Sequence, residues 1–463
     1  MLSLPCPARE DSLRIHARLR GPVGSEMDAA PQSARKPPRV AVHVAWLFLD
    51  LNSYFASVEQ ELDPRLRNRP VAVVPSLVDT TCCIAASYEA KAFGVKTGTQ
   101  VGEAKRMCPG LVLVEGRHEV YTQYHHRIVR AVESCVPVTN VMSIDEMACR
   151  LLGREQLLPN AMQLARQIKQ TIREQVGSTL RCSVGLAPNR YLAKIAGDME
   201  KPDGLVALTA DLLPQALLRL GLRDLVGVGS RMEQRLHAHG IRDMAALLAC
   251  TPEQLRAAWG SVQGERLWHW LRGADFHDEE REEPKSIGHQ HVLPPALRTV
   301  EGAYAVAHKL LHKAAMRLRM AQMWATGMVL RLHFAVPETA MRRKHHSGIP
   351  QQSWAQAVRL PECQDTQTLV EGLKKLWAAR PDGPLQQKPF LVCVTLVDLV
   401  PEPLHARNLF AQQDGEADRA ALTRTLDGIN TRYGTHTLHY GGMLPARAAA
   451  PTRIAFSSIP DLF

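Results

Sequence analysis

Apolar and polar positions change period along the chain in blocks. From Arg39 a continuous apolar run, Val42-His43-Val44-Ala45-Trp46-Leu47-Phe48-Leu49, ends on Asp50, and Leu51 to Glu59 then space their apolar side chains at helical intervals. This predicts a strand handing over to a helix, with Asp50 at the strand end, where side chains are held firmly and face a cleft; Asp50 as a helix N-cap is an equal alternative. Pro70 to Val74 and Cys82 to Ala86 read as short strands and Ser87 to Val95 as a short helix, which Gly94 and Gly98 weaken. Gly102 to Cys108 is helical up to Pro109, Leu111 to Val114 a strand, and His118 to Glu133 an amphipathic helix. Val136 to Leu152 follows as a β-hairpin or bent strand, Asn160 to Gln175 as a helix, Arg181 to Leu186 as a strand, and Asn189 to Lys201 as a helix ended by Pro202-Asp203-Gly204.

The second half begins with Leu225-Val226-Gly227-Val228-Gly229 before a helical segment, Ser230 to His239. An apolar-Gly-apolar-Gly turn between helices has the form of a helix-hairpin-helix, whose free N–H groups at Gly227 and Gly229 suit a nucleic-acid phosphate; a plain helical connection is the other reading. Thr251 to Gly273 is further helix, with Trp259, Trp268 and Trp270 read as core, and the acidic run Asp275 to Pro284 as a linker. Lys285 to Val292, Thr299 to Gln322, Thr326 to Val336, Trp354 to Leu360, Thr366 to Ala379 and Pro389 to Leu399 then give β-α-β-β-α-β, a ferredoxin-like succession. Its central turn carries Arg342, Arg343 and Lys344, charges available to phosphates, although a solvated hairpin tip is the default. After Pro401 the chain turns polar, Ala417 to Tyr433 has helical spacing, and the Pro/Ala-rich remainder ends on Leu462-Phe463, which either docks into a partner's groove or packs back on its own domain. Residues 1–38 carry no sustained periodicity and are expected to be a disordered leader, with Met27 a second candidate start.

Composition narrows the class. The chain has 463 residues, which at roughly 100–150 per domain implies three or four units. Lys and Arg number 56 against 46 Asp and Glu, which favours a polyanionic partner. Ten cysteines show no CxxC spacing, so neither a zinc site nor a disulfide framework is suggested and a reducing compartment is expected. No apolar run reaches the roughly 18 residues of a membrane span, so a soluble cytoplasmic protein without membrane contact is expected.

The candidate chemistry centres on Ser143-Ile144-Asp145-Glu146, which sets two carboxylates inside an apolar run. Such charges are costly to bury unpaired, and a divalent cation, Mg²⁺, shared with Asp50 is the simplest compensation. Because strand side chains alternate, one acid of the pair is expected to be the principal ligand and the other peripheral. Tyr88 and Lys91, three apart on a short helix, share a face on which a phenol and an ammonium suit a phosphate chain; a solvated face is the blander reading. Lys194 and Lys201, two helical turns apart, line one side if their helix persists to Lys201. His289 and His291 share a strand face, but without a third ligand they read as structural.

Taken together, Asp50, Tyr88, Lys91, the Ser143 to Glu146 stretch, the Lys194 to Gly204 segment and the Gly227/Gly229 turn resemble, in order and spacing over about residues 40–400, the Y-family translesion DNA polymerases. The resemblance implies an α/β multidomain (α+β) right hand: palm and fingers over 39–209 with fingers at about 61–110, a helical thumb over 210–284, a ferredoxin-like little finger over 285–400 and a tail over 401–463. It implies template-directed, error-prone DNA synthesis by two-metal nucleotidyl transfer from dNTP to a primer 3′-hydroxyl, with two Mg²⁺ ions bridged by Asp50 and Asp145. Glu146 becomes the neighbouring acid, the Leu51 carbonyl a backbone ligand, Tyr88, Lys91 and Lys201 the triphosphate contacts, and Phe55 the gate against ribonucleotides. Primer-template DNA is the partner, with a sliding clamp at Leu462 and Phe463 and SOS accessory proteins as further ones. Asn52 stands where many members have a second Asp, and Lys91 where Arg is usual, which keeps the charge but loses the bidentate fork. The tail leaves both the DNA polymerase IV-like and the UmuC-like branches open. Ala85, Ala86 and Ser87 are expected to border the templating base. A non-catalytic scaffold that keeps the fold is the competing reading, disfavoured because Asp50, Asp145 and Glu146 are all present.

Overall fold

A computed structural model describes residues 43–79, 81–276, 284–335, 351–380, 389–405, 415–434, 437–447 and 449. The leader, the basic turn with Arg342, Arg343 and Lys344, and the terminal Leu462 and Phe463 lie outside the described residues.

In chain order the first half comprises β1 (Trp46–Leu51), α1 (Tyr54–Leu62), β2 (Val71–Val74), β3 (Ala85–Ala86), α2 (Tyr88–Lys91), α3 (Val101–Met107), β4 (Val112–Glu115), α4 (His118–Glu133), β5 (Asn140–Val141), β6 (Glu146–Arg150), α5 (Leu158–Gln175), β7 (Cys182–Ala187), α6 (Arg190–Met199) and β8 (Leu205–Ala207). Five strands form one sheet in the order β5-β6-β1-β7-β8, with β1 central and antiparallel to both neighbours. Leu47, Leu49 and Leu51 face a core with Ile128 of α4 and Ile168 and Ile172 of α5. The alternate side chains Trp46 and Phe48 face Leu192 and Ile195 of α6. Burial on both faces explains why β1 reads as an unbroken apolar run rather than an alternation. Gly185 of β7 has no room for a side chain, since a Cβ would overlap the Ala193 carbonyl and the Gly197 amide, so α6 lies directly on the sheet.

A second sheet, β3-β2-β4, packs α2 and α3 around Val74, Ala86, Val101 and Ala104. Here the expected strand Cys82 to Ala86 shrinks to Ala85–Ala86, because Cys83 donates its N–H to Thr99 O at 2.8 Å and Cys82 bridges Gln100.

Four helices follow, α7 (Ser230–Ala238), α8 (Met244–Ala249), α9 (Pro252–Trp259) and α10 (Val262–Trp270). The expected helical stretch Thr251 to Gly273 is broken at Gly260, whose φ of +68° ends α9 in a left-handed turn. Trp259, Trp268 and Trp270 pack against the core shared with α6, and the Trp268 indole donates to Cys250 O at 2.8 Å.

The last sheet orders β9 (Ser286–Val292), β10 (Met323–Ala335), β11 (Gln351–Cys363) and β12 (Pro389–Pro401) as β11-β10-β12-β9, antiparallel throughout. With α11 (Val300–Met320) after β9 and α12 (Thr366–Ala378) after β11 the succession is β-α-β-β-α-β. Met328, Leu330 and Leu332 of β10 and Val392, Val394 and Leu396 of β12 meet both helices. The alternate positions turn away, and Arg331, Ala355, Ala357 and Arg359 among them are exposed. His289 lies near Lys313 and Arg317 of α11, and burial with these cations pushes its imidazole down to about 4. Among the described residues no three His, Cys, Asp or Glu side chains form a ready metal cluster.

Beyond the sheet, α13 (Glu416–Tyr433) returns to this domain. Arg319 holds Asp427 through two nitrogens at 2.6 and 2.8 Å. Lys309, buried, donates its ammonium to Arg447 O at 2.7 Å and Ala449 O at 2.5 Å, beside the fully buried Met443 and Ala446. This stretch of the tail therefore packs back on its own domain.

Candidate active site

The C-terminal end of β1 meets the start of β6, where Asp50 is paired in register with Glu146. Asp50 belongs to the strand, and the residue capping α1 is Ser53, so the N-cap alternative for Asp50 does not hold. Asp145 lies one residue before β6, in the turn of a β-hairpin with β5, and not on the strand itself. That turn is held from three sides: Ile144 is buried in the core, the His125 ring contacts Ile144 O at 2.8 Å, and Leu51 donates its N–H to Asp145 O at 2.9 Å. The Ser143 hydroxyl donates to the Asp145 carboxylate at 2.5 Å.

A cleft of about 700 Å³ opens at this strand end, lined by Asp50, Leu51, Phe55, Tyr88, Lys91, Asp145 and Lys201. Burial, with Asp145 and Glu146 nearby, pushes the Asp50 carboxyl up from 3.8 to about 7 against the opposing pull of Lys201. Burial raises Asp145 as well, opposed by the Ser143 hydrogen bond. Hard carboxylate oxygens held under mutual repulsion at a cleft suit a divalent cation, which would relieve both the repulsion and the desolvation. Glu146 does not line the cleft and pairs with Lys194 at 2.5 Å.

The lysines are split between these acids. Because α6 ends at Met199, Lys201 is in the following turn rather than on the helix face with Lys194. Its ammonium lies 2.7 Å from Asp50 and 2.6 Å from Asp198, and those two carboxylates hold it firmly protonated despite partial burial. Sequence reasoning missed Asp198, whose partners are visible only once the helix end is known. It also missed what Asn52 does: the buried amide donates to Ser183 Oγ at 3.1 Å and accepts from the Asp203 N–H at 2.7 Å, tying the turn that carries Lys201 to the end of β1.

Tyr88 and Lys91 sit on α2 with the Lys91 ammonium 4.4 Å from the Tyr88 ring centre, and both line the cleft, so this is not merely a solvated face. Burial, followed by Lys201, lowers the Lys91 pKa. Ala85 and Ala86 border the cleft, whereas Ser87 is buried and caps α2, accepting the Ala90 N–H at 3.4 Å. Phe55 stacks on Tyr121 with centroids 4.4 Å apart and planes at 17°. Tyr121 is fixed beneath it by a 2.7 Å hydrogen bond to the buried Glu59, which Arg117 pairs from the other side.

Away from the cleft, Gly227 adopts a φ of +87° and Gly229 caps α7, with open space around both, so the turn exposes its backbone. On the face of the third sheet opposite α11 and α12, Arg331 and Arg359 are exposed among the described residues, two basic positions that the sequence reading did not single out.

Solved structures share this architecture. A Y-family DNA polymerase chimera of Dbh and Dpo4 superposes with a TM-score of 0.61 at 24% identity, covering 77% of this chain and 99% of that one. Dbh DNA polymerase in an insertion ternary complex gives 0.51 at 24% identity with the same coverage. In sequence, the impB/mucB/samB family profile matches residues 49–198, the profile described as DNA polymerase-iota, thumb domain, matches 223–275, and the impB/mucB/samB family C-terminal domain matches 284–409. DNA polymerase IV of Moorella thermoacetica is 35% identical over 398 residues, 85% of this chain and 94% of that protein. DNA polymerase IV of Pelotomaculum thermopropionicum is 32% identical over 397 residues, 85% and 93% respectively.

The architecture is that of a right-hand polymerase with palm, thumb and little finger. The chain belongs to the Y-family of DNA polymerases, DNA-directed enzymes of translesion synthesis that depend on divalent metal.

Proposed function

We propose that this polymerase joins dNTPs to a primer 3′-hydroxyl in the cleft at the end of β1. The observation that carries the reading is the convergence of Asp50 and Asp145, from two segments about ninety residues apart, on one cleft with Lys91 and Lys201. Asp50 and Asp145, with the Leu51 carbonyl, would hold two Mg²⁺ ions, and Glu146 sits beside them on Lys194. The ions, when bound, supply the positive charge that favours a 3′-alkoxide and a leaving pyrophosphate. Lys201, Lys91 and Tyr88 orient the triphosphate and balance charge on it. Phe55, braced by Tyr121, closes the space that a 2′-hydroxyl would need.

Duplex DNA is held by its backbone at the Gly227/Gly229 turn, by Arg342, Arg343 and Lys344, and by the open sheet face with Arg331 and Arg359, contacts that carry no sequence information and suit any template. In this reading palm and fingers occupy 39–209, the thumb 210–284 and the little finger 285–400, and the enzyme works in the cytoplasm in DNA damage tolerance. Leu462 and Phe463 dock on a sliding clamp, and SOS accessory proteins bind as further partners. No helix among the described residues is long and apolar enough to cross a membrane.

Primer extension with Mg²⁺ tests the reading. Asp145→Ala is expected to lower the rate on the order of 10³-fold with primer-template binding retained. Extension at the wild-type rate sinks the site and restores the scaffold.

A further inference from the structure

We infer that Asp198 is a positioning residue for nucleotide binding, acting by holding the Lys201 ammonium at the mouth of the cleft. The inference rests on the reading of Lys201 as a triphosphate contact. Asp198 is in the last turn of α6, which has no basic residue there. A carboxylate at a helix C-terminus opposes the helix dipole, so the stability of α6 itself does not account for it. Its Oδ1 lies 2.6 Å from Lys201 Nζ, and the same ammonium lies 2.7 Å from Asp50 Oδ2. Asp198 does not line the cleft, whereas both of its neighbours in this triad do.

The two partners of Lys201 differ in what metal loading does to them. Asp50 is a carboxylate of the proposed metal pair, and a divalent cation bound there would neutralise it and compete for its oxygens. Asp198, on the rim and 39% exposed at its side chain, has no such competitor and remains the partner of the ammonium. A lysine has a flexible four-carbon stem, and one left unpaired in solvent must be ordered again each time a nucleotide arrives. Asp198 prepays that ordering from one side while the Asn52 amide fixes the backbone of the same turn through Asp203. The ammonium is thus pre-aimed at a triphosphate without Asp198 touching it.

Steady-state single-nucleotide insertion on a primer-template, with thermal unfolding as the folding control, tests the idea. Asp198→Asn should raise the dNTP KM about 3- to 10-fold while kcat falls no more than about 2-fold, and Asp198→Glu should restore most of the loss. Lys201→Ala should raise the KM further, and adding Asp198→Asn to it should change nothing more. An unchanged or lowered KM in Asp198→Asn overturns the inference, as does an equal further loss in the Lys201→Ala background. If Lys201→Ala itself leaves the KM unchanged, the triphosphate role of Lys201 falls first and the inference with it.

Discussion

The two large sheets solve opposite problems. The five-stranded sheet of β5, β6, β1, β7 and β8 is covered on both faces, by α4 and α5 on one side and by α6 on the other. At its strand ends Asp50 is paired with Lys201 and Glu146 with Lys194, while Asp145 between them is held by the Ser143 hydroxyl. The four-stranded sheet is covered by α11 and α12 on one side, and on the other Arg331 and Arg359 are exposed among small residues such as Ala355 and Ala357. A doubly covered sheet confines chemistry to a few positions that cannot be exchanged. A singly covered one spreads its contacts, and each of them counts for little.

Substitutions sharpen that contrast. The largest effect belongs to Asp145→Ala, as given above. Next comes Phe55→Ala, which should lower discrimination against ribonucleotides at least about 10-fold in competition assays, because the stacked Tyr121 then floors an open space; unchanged sugar selectivity removes the gate.

Asp50→Asn probes the cost of burying this carboxylate beside Asp145 and Glu146. The folded carboxyl holds its proton up to about 7, whereas the unfolded one releases it near 3.8. Folding therefore favours the protonated form, and the contribution of Asp50 to stability declines as pH rises from about 3.8 to about 7. In chelator, Asp50→Asn should add about 1–3 kcal/mol of unfolding free energy at pH 8 and progressively less towards pH 4, read from urea melts. A gain that is flat with pH would mean the carboxylate is not strained.

The smallest effects fall on the open face. Arg331→Ala and Arg359→Ala should each weaken primer-template binding about 2- to 5-fold and reduce the salt slope by about 1, additively. A loss confined to one of the two would replace the spread surface with a single specific contact.

These differences also govern what could be read from the sequence. The limits of α4, His118 to Glu133, coincide with the expected helix because its one-sided burial leaves a clear period in the sequence. The apolar run ending on Asp50 was legible for the opposite reason, since burial on both sides removes alternation. The Asp145 turn was not, because its geometry depends on His125 reaching across to Ile144 O, a contact with no local signature. Likewise the end of α6 at Met199 separates Lys194 from Lys201 and sends them to different acids, which periodicity alone joined on one face. In the last sheet the helical and strand periods gave the element order, but the exposure of Arg331 and Arg359 follows from which face α11 and α12 take, a choice made by packing.

The bare contact at Gly185 makes the candidate site sensitive to a position outside it. Residues that grip the acids, Lys194 on α6 and Lys201 just beyond, ride on a helix whose distance from the sheet is set by the absence of one methyl group. Enlarging Gly185 would act as a shim, lifting both cations away from their carboxylates together while changing no charged group. Gly185 therefore has little latitude for drift although it carries no charge.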